Sequence, residues 1–263
     1  MPHNSKATNT NSRKLKILML HAKTQRVKKL LEKSLASLPI KTDPPINGID
    51  LFYPTGPFRV SSADMNGAEV REDANGWWKL RERGEPQDGV IEGLETVAKV
   101  LRENGPMDGV MGFSQGAALT AMVASLLEVG RADAFAKVAG GMEFPESFAQ
   151  LQHPSLKFGV CFSGLLNKHD AYTAFYEPKI QTPILHVLGS MDTIVEESES
   201  LALAERCVDG DGMIIRHAGT HTVPSSERDI AAVIQFIRNV YPGGNAPSKK
   251  DEEEDVLDMD MPF

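Results

Sequence analysis

The sequence predicts an α/β fold, a mainly parallel central sheet of about six strands with helices on both faces. Three observations carry that expectation. Short apolar runs recur along the chain, separated by stretches with helical spacing. Strands that alternate with helices at this spacing belong to a parallel sheet covered on both sides. The third is Gly112-Phe113-Ser114-Gln115-Gly116, which lies directly between an apolar run and a helix rich in Ala, Leu, Met and Val.

In chain order, residues 1–13 are rich in Asn, Ser, Thr and Lys and read as disordered. Lys14 to Leu20 reads as a first buried strand leading into His21. Lys23 to Leu38 reads as a helix, with Val27, Leu30, Leu31, Leu35 and Leu38 on one face. Ile49 to Tyr53 is a second strand, closed by Pro54. Thr55 to Gln87 has little periodicity and contains Trp77-Trp78, the profile of a long binding loop or lid. Val90 to Asn104 returns to helical spacing and stops at Asn104-Gly105-Pro106. Val110 to Phe113 is the third strand, and Gln115 to Val129 its helix. Arg131 to Pro154 is a second connecting region with room for short helices. Phe158 to Phe162, Pro183 to Gly189 and Met213 to His217 complete the strands; Glu197 to Val208 and Glu227 to Val240 complete the helices. One domain over 14–242 and a disordered acidic tail over 243–263, with Asp251-Glu252-Glu253-Glu254-Asp255, account for the rest.

Composition narrows the functional classes. A 263-residue chain with 41% hydrophobic and 24% charged residues is long enough for one substantial core. A net charge of −8 argues against nucleic acid as a partner. No stretch approaches 18 apolar residues and the start of the chain has no apolar signal region, so neither a membrane span nor a secretory leader is expected. The two cysteines, Cys161 and Cys207, read as buried thiols in a reducing compartment, cytoplasmic or also nuclear.

The G-x-S-x-G stretch has a steric logic. A strand that turns at once into a helix leaves its central residue strained and exposed, and only very small side chains fit two positions to either side. Ser114 is therefore the expected nucleophile, with the Gln115 N–H at the helix N-terminus as an oxyanion donor. A serine needs a base to take its proton and the base needs a carboxylate to fix its tautomer. On the α/β-hydrolase fold these come in the order Ser, acid, His. Asp192, in the turn after the fifth strand, fills the acid's place. After the sixth strand, His217 and His221 compete. His221 is preferred because it lies beyond Gly219 on the flexible part of the loop. Their i, i+4 spacing does not make a zinc site, since Gly219 interrupts any helix between them. Neither a metal nor an organic cofactor is required. Ser163 reads as structural, and His186, inside a strand, as a hydrogen-bonded core histidine. A core or lid role for the tryptophan pair stands beside its reading as a substrate-binding platform.

These residues together resemble the FSH-type serine hydrolases of fungi and other eukaryotes, a family that includes the ovarian-cancer-associated homologue. The resemblance is carried by Ile17-Leu18-Met19-Leu20-His21, Trp77-Trp78, Gly112 to Ala117, Phe162-Ser163-Gly164, Gly189-Ser190-Met191-Asp192 and Gly219-Thr220-His221-Thr222-Val223-Pro224, and spans about Lys14 to Val240. It implies Ser114 as nucleophile, Asp192 as orienting acid and His221 as base, and a small-molecule ester or thioester as substrate. Some fungal members release acyl or polyketide chains from carrier proteins, which makes an acyl-carrier-bound substrate an alternative. The chain departs from the pattern after His21. The family usually has His-Gly and a loop there, whereas His21 is followed by Ala22-Lys23-Thr24-Gln25 and then the first helix. A second oxyanion N–H would have to come from near Ala22, and its loss implies a catalytically weak binding protein as a further alternative. Substrate identity and oligomeric state are not legible.

Overall fold

In the computed structural model, residues 13–21, 39–40, 46–61, 74–81 and 85–240 are described. The strands are β1 Arg13–Leu20, β2 Pro39–Ile40, β3 Ile46–Phe52, β4 Phe58–Arg59, β5 Asn75–Gly76, β6 Gly109–Phe113, β7 Phe158–Phe162, β8 Ile184–Gly189 and β9 Ile214–His217. The helices are α1 Val90–Asn104, α2 Gln115–Leu126, α3 Arg131–Lys137, α4 Glu146–Ala149, α5 Thr173–Tyr176, α6 Glu197–Ala204 and α7 Glu227–Val240. The main sheet runs β2-β3-β1-β6-β7-β8-β9. Six of its strands are parallel, and the two-residue edge strand β2 is antiparallel to β3. The chain leaves β1 for β3 on one side and returns to β6 on the other. The crevice outside the β1 and β6 carboxyl ends is thus the topological switch point, where such sheets bind ligands.

Alternation along the strands divides the core. Leu15, Ile17 and Met19 join Met111, Phe158, Val160, Leu185 and Val187 on the face that α7 covers through Val233, Phe236 and Ile237. Leu18 and Leu20 point the other way, toward α1 and α2. Every residue of α2 is buried. Its alanines, Ala117, Ala118, Ala121 and Ala124, let the helix lie close against the sheet.

Most expected elements are present, with α1 and α7 at the expected bounds. The differences are at ends. Arg13 belongs to β1 rather than to the segment before it, and its guanidinium makes two hydrogen bonds to Asp108 just ahead of β6. The expected second strand begins three residues earlier, at Ile46. α2 ends at Leu126, not Val129, because the chain turns at Gly130, which has φ 80°. The turn places Glu128 against Arg131 in a buried ion pair of 2.5 Å. α6 ends at Ala204, where Gly210 packs so closely that a Cβ would fall 1.9 Å from the Ala204 carbonyl oxygen. The long segment before α1 contains the paired strands β4 and β5, which the sequence did not suggest. The helix expected over 23–38 and the terminal segments expected to be disordered lie outside the described residues, Arg13 excepted.

His186 is 1% exposed, as expected of a core position, but neither ring nitrogen has a hydrogen-bond partner. Burial alone lowers its pKa to about 4. The folded protein therefore keeps His186 neutral while an unfolded chain protonates it near pH 6.5, so stability falls as pH drops between those values. Urea unfolding at pH 7 and pH 5 should differ by about 2 kcal/mol from this residue, and His186→Leu should remove that part of the pH dependence.

Candidate active site

The three candidate catalytic residues emerge from the carboxyl ends of β6, β8 and β9. Ser114 follows β6 with φ 56° and ψ −119°, backbone values that a non-glycine residue adopts only when its surroundings enforce them. The enforcement is visible. The Ser114 N–H donates to the Phe162 carbonyl of β7 at 2.9 Å, and the Ser114 carbonyl accepts from Ala117 and Ala118 as the helix opens. A Cβ on Gly112 would lie 2.1 Å from the Gly116 carbonyl oxygen, and one on Gly116 would lie 2.2 Å from that of Leu20. Both glycines are required for the strand, helix and β1 end to meet at this point.

Asp192 is reached by a tight turn after β8, and His221 by the loop after β9. The two loops are joined through their backbones. Ser190 N–H donates to His217 O and Met191 N–H to Gly219 O. Gly189 is required there too, since its Cβ would meet the Thr220 carbonyl oxygen at 2.4 Å. This seam brings His221 Nδ1 to 2.8 Å from Asp192 Oδ2. Asp192 Oδ1 accepts from the Ile194 and Val195 N–H groups at 2.9 and 3.0 Å. The Asp192 side chain is 3% exposed and that of His221 19%. Burial pushes the Asp192 pKa up, but the Val195 N–H, His221, the Ile194 N–H and the Ser163 hydroxyl together hold it below its ordinary value. The Ser163 hydroxyl is fully buried and makes no full hydrogen bond, so its contribution comes from proximity to the carboxylate. Ser163, like Ser114, has a positive φ, 45°. It follows β7, the strand between β6 and β8.

His217 is separated from this arrangement. It is buried, and its Nδ1 accepts the Gly219 N–H at 3.1 Å. His221 instead lies against Phe113, with ring centroids 4.7 Å apart and planes 37° apart. The Ser114 hydroxyl makes no hydrogen bond to His221 among the described residues. Catalytic contacts of this kind commonly tighten only in the substrate complex.

Gln115 opens α2, so its N–H has no acceptor within the helix. Ala22, the other expected oxyanion donor, lies outside the described residues. The tryptophan pair is placed differently from a binding platform. Trp77 is 0% and Trp78 3% exposed, both in the core beside α1 and α2. Large aromatic surface is most stable out of water, and here no face is left for a ligand. Their backbones hold Gln115 instead. Trp77 N–H donates to Gln115 Oε1 at 2.8 Å, and Gln115 Nε2 donates to the Trp78 carbonyl at 2.9 Å. Trp77 Nε1 donates to the His21 carbonyl, and the two rings lie 5.0 Å apart. His21 Nε2 in turn accepts the Gly56 N–H. Among the described residues no cluster of three metal-ligating side chains exists, and no helix is long and apolar enough to cross a membrane.

Comparisons with known proteins point the same way. The profile of the serine hydrolase (FSH1) family matches residues 10–233. "Family of serine hydrolases 3" of Saccharomyces cerevisiae is 28% identical over 276 residues, covering 95% of this chain and 94% of that protein. "Esterase OVCA2" of Mus musculus is 31% identical over 190 residues, covering 67% of this chain and 73% of its own. Of two Schizosaccharomyces pombe proteins that also match, the chain spans only 37% and 44% of the length. The fold is that of Arabidopsis thaliana SOBER1 L63A, with a TM-score of 0.56 at 18% identity over 86% of this chain and 99% of the other. The sheet is thus an α/β-hydrolase sheet, and the chain belongs to the FSH1 family of serine hydrolases.

Proposed function

We propose that the protein hydrolyses carboxylic esters or thioesters through Ser114, His221 and Asp192. The observation that carries the reading is the Asp192–His221 pair, built on joined loops and set beside the strained Ser114 turn. As Ser114 Oγ attacks the substrate carbonyl carbon, its proton passes to His221 Nε2. Asp192 receives the Nδ1–H hydrogen bond and faces the positive charge that the ring gains. The oxyanion receives the Gln115 N–H. Collapse of the tetrahedral species breaks the acyl–oxygen or acyl–sulfur bond, and His221 returns the proton to the leaving alcohol or thiol. Water, deprotonated by the same His221, then cleaves the Ser114 acyl-enzyme.

No metal or organic cofactor enters these steps. The substrate is a small molecule, and an acyl chain on a carrier protein is a narrower reading that a matched pair of oxygen ester and thioester would test. Two free buried thiols agree with a cytoplasmic or nuclear location. A fluorophosphonate probe should label the protein at Ser114. Ser114→Ala should abolish both labelling and ester turnover, and equal labelling of the variant would overturn the assignment.

A further inference from the structure

We propose that the Phe113 ring is an electrostatic partner of the general base, stabilising the imidazolium that His221 becomes during turnover. The proposal rests on the reading of His221 as the base. Phe113 is the last residue of β6, directly before Ser114, and pairs in register with the buried Phe162 of β7. Its side chain is half-buried and packs on the α7-side core, the same cluster against which Val223, two residues beyond His221, also packs. The ring is therefore held by the sheet from below and faces His221 at 4.7 Å between centroids. That separation is inside the roughly 6 Å over which a cation is drawn to an aromatic face.

The chemistry makes the contact selective for the transition state. Before reaction His221 is neutral and its contact with Phe113 is ordinary ring packing. When the Ser114 O–H bond breaks and the proton joins Nε2, the imidazole becomes a cation packed against the phenyl ring, whose π-electrons attract it. Asp192 meets that charge at the edge of the imidazole, through Nδ1 at 2.8 Å, and the Phe113 ring meets it with centroids 4.7 Å apart and planes tilted by 37°. An interaction within the enzyme that strengthens only as charge develops raises kcat, whereas one equally strong in all states would leave kcat unchanged. The same contact fixes the plane of the imidazole, which the single Asp192 hydrogen bond leaves free to swing.

The test separates charge from shape. Phenylalanine analogues carrying one, three and five ring fluorines at position 113 weaken the negative face with little change in size. With a p-nitrophenyl ester, kcat should fall stepwise along the series while KM stays constant. Phe113→Leu should lose roughly 2- to 30-fold in kcat and Phe113→Tyr should retain most of it. A flat fluorine series overturns the proposal, and so does a series that changes KM with kcat constant. The fluorinated proteins decide the matter even if Phe113→Leu fails to fold. His221→Ala distinguishes the two levels of inference. If that variant stays active, the reading of the base fails. If it is inactive while the fluorine series is flat, only the role given to Phe113 fails.

Discussion

Asp192→Asn is expected to lower kcat about 10⁴-fold while leaving the fold intact. The amide oxygen can still accept the Ile194 and Val195 N–H groups that now bind Oδ1, so the turn keeps its shape. The amide NH2 then faces His221 Nδ1. A donor facing Nδ1 forces that nitrogen to accept, which places the ring proton on Nε2. In that tautomer His221 cannot receive the Ser114 proton. The loss is therefore one of proton position, not of packing, and fluorophosphonate labelling should slow in parallel with ester turnover. A variant within tenfold of the parent would show that Asp192 does not orient the base. The depressed pKa of Asp192 has its own sign. Its stabilising contribution is present above the ordinary carboxylate range and is lost as pH falls through the lower folded value.

The second large effect lies at the opposite end of the sheet. Arg131→Met is expected to destabilise the protein by about 3–5 kcal/mol, a fall of roughly 6–20 °C in Tm. The Arg131 side chain is 2% and that of Glu128 8% exposed. Arg131 Nη1 also donates to the Pro178 and Ala174 carbonyls. Glu128 Oε1 accepts from the Gln181 and Thr182 N–H groups and from Thr182 Oγ1. Removing one partner strands a buried charge, whereas removing both strands none. Glu128→Gln combined with Arg131→Met should therefore recover part of the loss in thermal unfolding. A single variant within about 1 kcal/mol of the parent would mean that water already reaches the pair.

The parts of this protein that follow from local chemistry were legible in its sequence. The glycines around Ser114 announce a close approach, and the structure supplies the carbonyls they approach. The choice of His221 over His217 rests on the break at Gly219, and His221 is the one whose Nδ1 lies 2.8 Å from Asp192 Oδ2. What depends on which surfaces meet after folding was not legible. The tryptophan pair reads as core or lid packing and also as a ligand platform, because its partner, the Gln115 side chain, is 38 residues away from Trp77. The nearness of Ser163 to Asp192 is not legible in Phe162-Ser163-Gly164, because β8 brings the two together only on folding. The contact of Phe113 with His221 likewise requires the loop after β9 to fold back across two intervening strands.

The clamp on Gln115 has a consequence for control of the reaction. The residue whose backbone N–H is the proposed oxyanion donor also ties down the Trp77–Trp78 segment with its side chain. Thermodynamic coupling between two such places is reciprocal. Whatever rigidifies the segment also steadies the donor, and an acyl group that draws on the donor favours the ordered segment by the same free energy. Length changes in the connection before α1 should accordingly be felt as changes in turnover rather than in fold, which makes that connection a natural place for related enzymes to diverge in rate.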